Sequence, residues 1–368
     1  MGGDHNCRAA CRVHKSMPMW ISLFQHKMKN PNKIKGDGQN ITMFPAILIF
    51  GDSTVDTGNN NYITTAIKAN HYPYGKDFPT HVPTGRFSNG RLSVDFLASM
   101  LGVKQSIPPF LHPGLSAYEL LTGVSFASAG TGYDTLTAAI TRVLPMSKQL
   151  DYFRSYSERL KKIVGEKEAQ RVINHALVSV SAGTNDFIFN FYDIPTRRVE
   201  FNIYNYQEFI LERLHDFVKE LYKLGCKTMI ITGLPPIGCL PIQITAKYTE
   251  QLARKCVEQQ NVEAQIYNRK LLELIVHKQM SLKGSRIFYA DIYKPIIDMI
   301  RSPETYGFSE TVKGCCGTGL LEAGPICTPL TPMCQNSSQY LFFDSIHPSE
   351  KAYRYVTKCI VKQILDTL

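Results

Sequence analysis

The sequence predicts an α/β protein: a three-layer α/β/α sandwich around a five-stranded parallel sheet. Three observations lead there. Short apolar runs alternate with amphipathic helical patterns along most of the chain, the signature of a parallel sheet wrapped by helices. The runs have strand length and read as buried. Glycines close the helical patterns, at Gly102, Gly165 and Gly225, where a residue free to turn left-handed ends a helix.

In chain order, the first strand is expected at 46–50. A helix at 92–101 ends at Gly102, and the second strand is expected at 124–129. Leu150, Phe153, Leu160 and Val164 share one helical face, stopped by Gly165, and the third strand follows at 176–182. Ile210, Leu214, Phe217, Leu221 and Leu224 make the next stripe, capped by Gly225, before a fourth strand at 228–232. A long helical stretch from about 250 to 280 leads into the fifth, at 286–290. The last helix uses Ala352, Val356, Ile360 and Ile364, with Ser349 as N-cap and Glu350 in its first turn. Ligands of such sheets bind beyond the carboxyl ends of the strands. The chemistry is therefore expected just after residues 50, 129 and 182, and in the loop before the last helix.

With 368 residues, 44% hydrophobic and 20% charged, the chain has an ordinary globular composition and ample length for a core. No stretch approaches the roughly 20 apolar residues of a transmembrane helix. No linker-like run divides 44–368, so one domain is expected there, after a leader at 1–43. The net charge of +10 raises the question of an anionic partner, but half of the excess sits in that leader, where seven Lys or Arg face two Asp. The remainder is spread without a basic stripe or nucleic-acid motif, which argues against nucleic acid as a partner. The leader's one apolar patch, at 17–24, is interrupted by Pro18 and Ser22. It reads as a disordered or processed segment and is a poor signal peptide.

Ten cysteines allow metal, disulfides or free thiols. No pair has the Cys-x2-Cys separation of zinc sites and the histidines show no ligand spacing, so neither metal nor cofactor is expected. Cys315, Cys316, Cys327 and Cys334 crowd a Gly- and Pro-rich stretch, and Cys239 and Cys256 flank another loop. Two or three disulfides are expected among them, in an oxidising compartment, with the pairing open; the alternative is reduced packing residues. The acceptor tripeptides at Asn40 and Asn336 point the same way, to secretion and N-glycosylation.

Candidate chemistry stands where the strands end. Ser53 follows the first strand on a tight turn behind Gly51. A serine hydroxyl is a weak nucleophile and requires a base and an orienting acid. Asp344 and His347 supply that pair near the C-terminus: at i, i+3 on a turn, the carboxylate holds one ring nitrogen while the other points outward. The oxyanion of an attacked ester needs donors. Gly130 offers a backbone N–H with no side chain in the way, Asn185 offers a neutral side-chain NH2, and Ser53 N–H is a third. Singly, a polar turn, a helix N-cap, a turn glycine and a turn asparagine explain these residues. In this order, each at a strand end, they describe a serine ester hydrolase with a Ser53–His347–Asp344 triad. The G-x-S-x-G signature is absent, which argues against the α/β-hydrolase fold.

These residues sit in blocks that resemble the plant GDSL-type esterase/lipases, a branch of the SGNH hydrolase superfamily, and within them the extracellular lipase group. The blocks are FGDSTVDTGNN (50–60), GVSFASAGTGYD (123–134), SAGTNDF (181–187) and DSIHP (344–348), with further similarity at 74–91, 233–241 and 315–327. The resemblance covers about 45–366. It implies a flavodoxin-like three-layer fold, secretion, frequent N-glycosylation, no metal, and hydrolysis of small-molecule or lipid acyl esters. It also implies Ser53 as nucleophile, Asp344 and His347 as acid and base, and Ser53, Gly130 and Asn185 as the oxyanion hole. Thr54 replaces the family's Leu, Ser125 its usual Asn, and Phe343 its usual Trp. An acyltransferase using the same triad is the first alternative function; a non-catalytic lipid-binding coat or wall protein is the second, and its expected mark, a lost triad residue, is missing. Acyl length, alcohol and oligomeric state depend on loops and surfaces that carry no sequence signal.

Overall fold

The computed structural model describes residues 43–247 and 254–367. Apart from Met43, the expected leader and its Asn40 acceptor lie outside the described residues, as does the expected start of the long helix near 250.

The strands are β1 (Ile47–Gly51), β2 (Leu177–Ser181), β3 (Thr228–Thr232), β4 (Arg286–Ala290), β5 (Glu310–Gly314) and β6 (Tyr340–Phe342). The helices are α1 (Ser93–Met100), α2 (Ala117–Thr122), α3 (Thr135–Thr141), α4 (Met146–Val164), α5 (Glu166–His175), α6 (Ile203–Lys223), α7 (Pro241–Ala246), α8 (Glu258–Ser281), α9 (Tyr293–Arg301), α10 (Pro303–Tyr306) and α11 (Glu350–Thr367). A π-helical turn spans Asp186–Asp193.

The first four strands form one parallel sheet in the order β1-β2-β3-β4, with Ile49 beside Ser179, Ser179 beside Ile230, and Ile230 beside Phe288. The fold class is the expected one, with one correction: the run at 124–129 is not a regular strand. It lies along the outer edge of β1, with hydrogen bonds from Ile49 N to Val124 O (3.1 Å), Phe126 N to Ile49 O (2.7 Å) and Ser128 N to Gly51 O (2.9 Å). The ladder stops at Gly51, whose N–H goes to Gln149 Oε1 (2.9 Å) and not to Phe126 O, while Ser125 O and Ala127 O, on the side away from β1, accept from the Asn59 side-chain amide at 2.8 Å each. Counting this segment, the chain reverses its winding direction between β1 and β2, and a crevice opens beyond the carboxyl ends of those two strands.

Boundaries shift by small amounts elsewhere. β1 lies one residue later than expected, β2 is one residue shorter at each end, and β3 and β4 match. Gly165 ends α4 as expected, but α5 begins directly after it. Ser349 Oγ accepts from Ala352 N–H (3.4 Å) at the start of α11, the expected N-cap contact.

One helix layer consists of α4, α6 and α8, packed on one another and on β1 and β4; the other consists of α1, α9 and α11, with α11 also against β4. The expected stripe of α6 is buried through Ile210, Leu214, Phe217 and Leu221, each contributing about 1.5–3 kcal/mol relative to an exposed side chain. The Phe50 ring lies 4.9 Å from Phe126 and 5.6 Å from Phe153 and Phe217. That aromatic cluster pins the end of β1, and with it the turn that follows, between the 124–128 segment and two helices.

Among the described residues, three disulfides join Cys239 to Cys256, Cys315 to Cys334 and Cys316 to Cys327. Cys226 instead packs as a buried thiol. The latter two bridges staple the chain between β5 and β6, which form a separate two-stranded parallel sheet. This stapled loop, Tyr74, Phe87 and Phe343 share a second small core.

Candidate active site

The turn after β1 is built by close contacts that fix Ser53. Gly51 has φ 139°, and a Cβ on it would fall 1.9 Å from Ser181 O, so only glycine allows β1 and β2 to approach here. Gln149 of α4 clamps the same residue, accepting from Gly51 N and donating to Gly51 O at 2.9 Å each. Asp52 N donates to Ser181 O (3.0 Å). Its carboxylate accepts from Thr54 N (2.9 Å) and Thr54 Oγ1 (2.7 Å), and Thr54 Oγ1 lies 3.1 Å from Ser181 Oγ. Threonine at this position thus ties the turn to β2 in a way leucine cannot. Burial pushes the Asp52 carboxyl up to about 6.

Asp344 and His347 stand on the turn between β6 and α11. Asp344 Oδ1 accepts from Ile346 N (2.9 Å) and His347 N (2.7 Å), which closes the turn and holds the imidazole over its own carboxylate. His347 Nδ1 lies 2.7 Å from Asp344 Oδ2, and Nε2 lies 2.8 Å from Ser53 Oγ, 294 residues away in the chain. With the N–H on Nδ1 facing the carboxylate, Nε2 is left to accept from the serine hydroxyl. The Phe87 ring packs 5.0 Å from the imidazole.

Tyr74, which the sequence reading did not single out, completes this line. Its hydroxyl donates to Asp344 Oδ2 (2.7 Å) and accepts from Gly324 N (2.6 Å) in the stapled loop. Burial first, then the Asp344 charge, raises the phenol well above its ordinary value, so it remains a donor. Its signal was weak: a tyrosine in a turn-rich stretch with no periodicity.

Gly130 and Asn185 are linked to the serine turn through intermediates, with no direct bond to Ser53. Asp56 Oδ1 accepts from Gly58 N (2.8 Å) and Asn59 N (2.7 Å), while Oδ2 accepts from Ala129 N (3.0 Å). Asn60 Nδ2 donates to Ala129 O (2.9 Å). The serine turn is thereby stitched to the segment that ends in Gly130, which adopts φ 87°. Asn185 Nδ2 donates one hydrogen to Thr131 O (2.8 Å), leaving its second. Among the described residues, neither Ser53 N–H nor Gly130 N–H has an acceptor. Asp186 supports the far side, accepting from Tyr133 N (2.8 Å), Asp134 N (3.1 Å) and Thr137 Oγ1. Burial pushes Asp186 up to about 7 and Asp56 up to about 6.

The arrangement offers a hydroxyl on an oriented imidazole beside N–H donors, which is the equipment for acyl transfer through a serine. Comparison with known proteins points to the same chemistry. The family model described as GDSL-like Lipase/Acylhydrolase matches residues 47–360. The Arabidopsis thaliana protein named GDSL esterase/lipase At2g30310 is 56% identical over 324 residues, 88% of this chain and 90% of its own length. The Arabidopsis thaliana GDSL esterase/lipases At2g30220 and At1g06990 are 55% and 52% identical, each over 89% of this chain and 91% of theirs. With a family match over most of its length and relatives more than half identical over 88–89% of it, the chain belongs to the GDSL-like lipase/acylhydrolase family of carboxylic ester hydrolases.

Proposed function

We propose that the protein hydrolyses acyl esters through Ser53, with His347 as general base and acid and Asp344 as its orienting carboxylate. The observation that carries this reading is the 2.8 Å contact between Ser53 Oγ and His347 Nε2, with Nδ1 held on Asp344. His347 takes the hydroxyl proton as Oγ bonds to the ester carbonyl carbon. The carbonyl electron pair moves to oxygen, which the N–H groups of Ser53 and Gly130 and the remaining Asn185 hydrogen stabilise. The C–O bond to the alcohol then breaks, and His347 returns the proton to the departing alkoxide. Water enters, gives its proton to His347 and attacks the acyl-serine; the acid leaves as Oγ recovers the proton. Tyr74 acts through Asp344 as a positioning residue.

The three disulfides support an oxidising, extracellular setting for this chemistry, with Asn336, exposed beside the stapled loop, as the glycan acceptor. One hydrolase domain at 44–368 behind a leader at 1–43 accords with the extent of the family match. No described helix is long and apolar enough to cross a membrane. The test is steady-state hydrolysis of a chromogenic ester. Ser53→Ala is expected to lower kcat by roughly 10⁴- to 10⁶-fold; a variant within tenfold of the parent would remove Ser53 from the mechanism.

A further inference from the structure

The edge segment beside β1 alternates its backbone groups. Phe126 N and Ser128 N donate inward, to Ile49 O and Gly51 O, while Ser125 O, Ala127 O and Ala129 O face away from β1 and accept from side-chain amides. Ala129 N belongs to the outward set, donating to Asp56 Oδ2 at 3.0 Å. An extended chain turns every second residue to the same side, so the next inward donor is Gly130 N–H. β1 has ended by then, and the step that leads from Ile49 to Gly51 leads on to Ser53. The outward carbonyls have different holders. Asn59 takes Ser125 O and Ala127 O, at 2.8 Å each, whereas Asn60 Nδ2 takes Ala129 O at 2.9 Å.

We infer that Asn60 is a positioning residue of the oxyanion hole: it holds the Ala129–Gly130 peptide plane so that Gly130 N–H is aimed in advance at the developing oxyanion. The inference rests on the reading of Gly130 N–H as an oxyanion donor. The carbonyl and N–H of one peptide unit lie antiparallel in one plane, so the bond to Ala129 O also sets the direction of Gly130 N–H. Asp56 holds the plane before it through Ala129 N, and Thr141 Oγ1 holds the plane after it through Gly130 O (3.1 Å). Asn60 holds the one between. Its own side chain is buried and fixed in turn: Nδ2 also donates to Ile67 O (2.8 Å), and Oδ1 accepts from Ser128 Oγ. It stands in the short 3-10 turn Asn59–Tyr62, downstream of Ser53, so nucleophile and donor are set by one stretch of chain. A donor aimed beforehand costs no reorganisation when charge develops.

The experiment measures kcat and KM of the parent, Asn60→Ala and Asn60→Ser on a 4-nitrophenyl ester and on its thionoester, in which sulfur replaces the carbonyl oxygen. Serine keeps a polar group at the buried position but is too short to reach Ala129 O. Sulfur accepts hydrogen bonds weakly, so the thionoester draws less on the oxyanion donors and serves as an internal reference. Asn59→Ala is the control, since Asn59 holds the same segment without touching the plane that carries Gly130 N–H. The folded Asn60 variants should lose about 10- to 100-fold in kcat on the oxygen ester, less than the roughly 10²- to 10³-fold of losing a donor outright. KM should change little, and the oxygen-to-thiono ratio of kcat should fall at least about fivefold. Asn59→Ala should keep the parent ratio. An unchanged ratio in a folded Asn60 variant, or an equal fall in Asn59→Ala, makes Asn60 a structural residue and overturns the inference. Asn185→Ala separates the two readings. If it lowers the ratio while the Asn60 variants do not, the oxyanion hole stands and the Asn60 assignment alone fails; if neither lowers it, the oxyanion reading fails with it.

Discussion

Tyr74 and Asp344, 270 residues apart in the chain, share a buried hydrogen bond of 2.7 Å. The acceptor is Oδ2, the same oxygen that lies 2.7 Å from His347 Nδ1. Gly324 N donates to the Tyr74 hydroxyl in turn, so the disulfide-stapled loop reaches the imidazole through two groups.

Tyr74→Phe deletes that donor while keeping the ring against Phe343, whose centroid lies 5.4 Å away. A hydrogen bond to a charged group is worth about 1.5–3 kcal/mol, so kcat should fall by about 10- to 100-fold with KM little changed. Ester kinetics beside a thermal melt separates this from loss of structure. An unchanged kcat in a folded Tyr74→Phe would show that the carboxylate needs no outside support.

Asn185 is expected to stabilise the transition state more than the bound ester. Asn185→Ala should lower kcat by about 10²- to 10³-fold, with KM changing far less. Because Asn185 also holds Thr131 O, circular dichroism of the variant must match the parent for the kinetics to count. A loss confined to KM would assign Asn185 to ground-state binding.

Stability should be greater at pH 5 than at pH 8. Burial raises Asp52 and Asp56 to about 6 and Asp186 to about 7, from an unfolded value near 3.8. Between pH ~4 and ~7 the folded chain therefore keeps protons that the unfolded chain has released, and the free energy of unfolding falls as pH rises through that window. Asp134 works in the opposite sense: burial is outweighed by the Arg197 contact and its pKa is lowered, so its contribution disappears only in stronger acid. Calorimetry should give a Tm at least about 5 °C higher at pH 5 than at pH 8. A Tm that climbs steadily from pH 5 to 8 would mean that these carboxyls stay ionised throughout.

Reducing the disulfides should impair catalysis as well as stability. Cys315–Cys334 and Cys316–Cys327 close loops of 19 and 11 residues, each worth about 3 kcal/mol by chain entropy. Inside both loops lie Gly324 and Glu322; the Glu322 carbonyl accepts from Ser345 N at 2.9 Å, beside Asp344. Activity should fall in step with the appearance of thiols titratable under native conditions. Full activity with all six thiols exposed would uncouple the loop from the site.

The strands legible from sequence were those buried by the two helix layers. Residues 228–232 and 286–290 form β3 and β4 with the expected bounds. The run at 124–129 has the composition of a strand, yet Gln149 takes the Gly51 N–H that the ladder needs, and a side chain competing for a ladder donor leaves no trace in hydrophobic pattern. β5, Glu310–Gly314, was missed because it is a short, largely polar strand of a separate two-stranded sheet. Ser53, Asn185, Asp344 and His347 could be picked out as candidates because each follows closely on a strand, and Gly130 because it follows the edge segment at 124–128. The Tyr74–Asp344 contact arises from packing between segments far apart in the chain, with nothing local to mark it.

Mass spectrometry after treatment with a fluorophosphonate bears most directly on the central claim, that Ser53 is activated by His347. One covalent adduct is expected on the peptide carrying Ser53, formed in the parent and absent in a folded His347→Ala. Labelling of another residue, or equal labelling of Ser53 without His347, would contradict it.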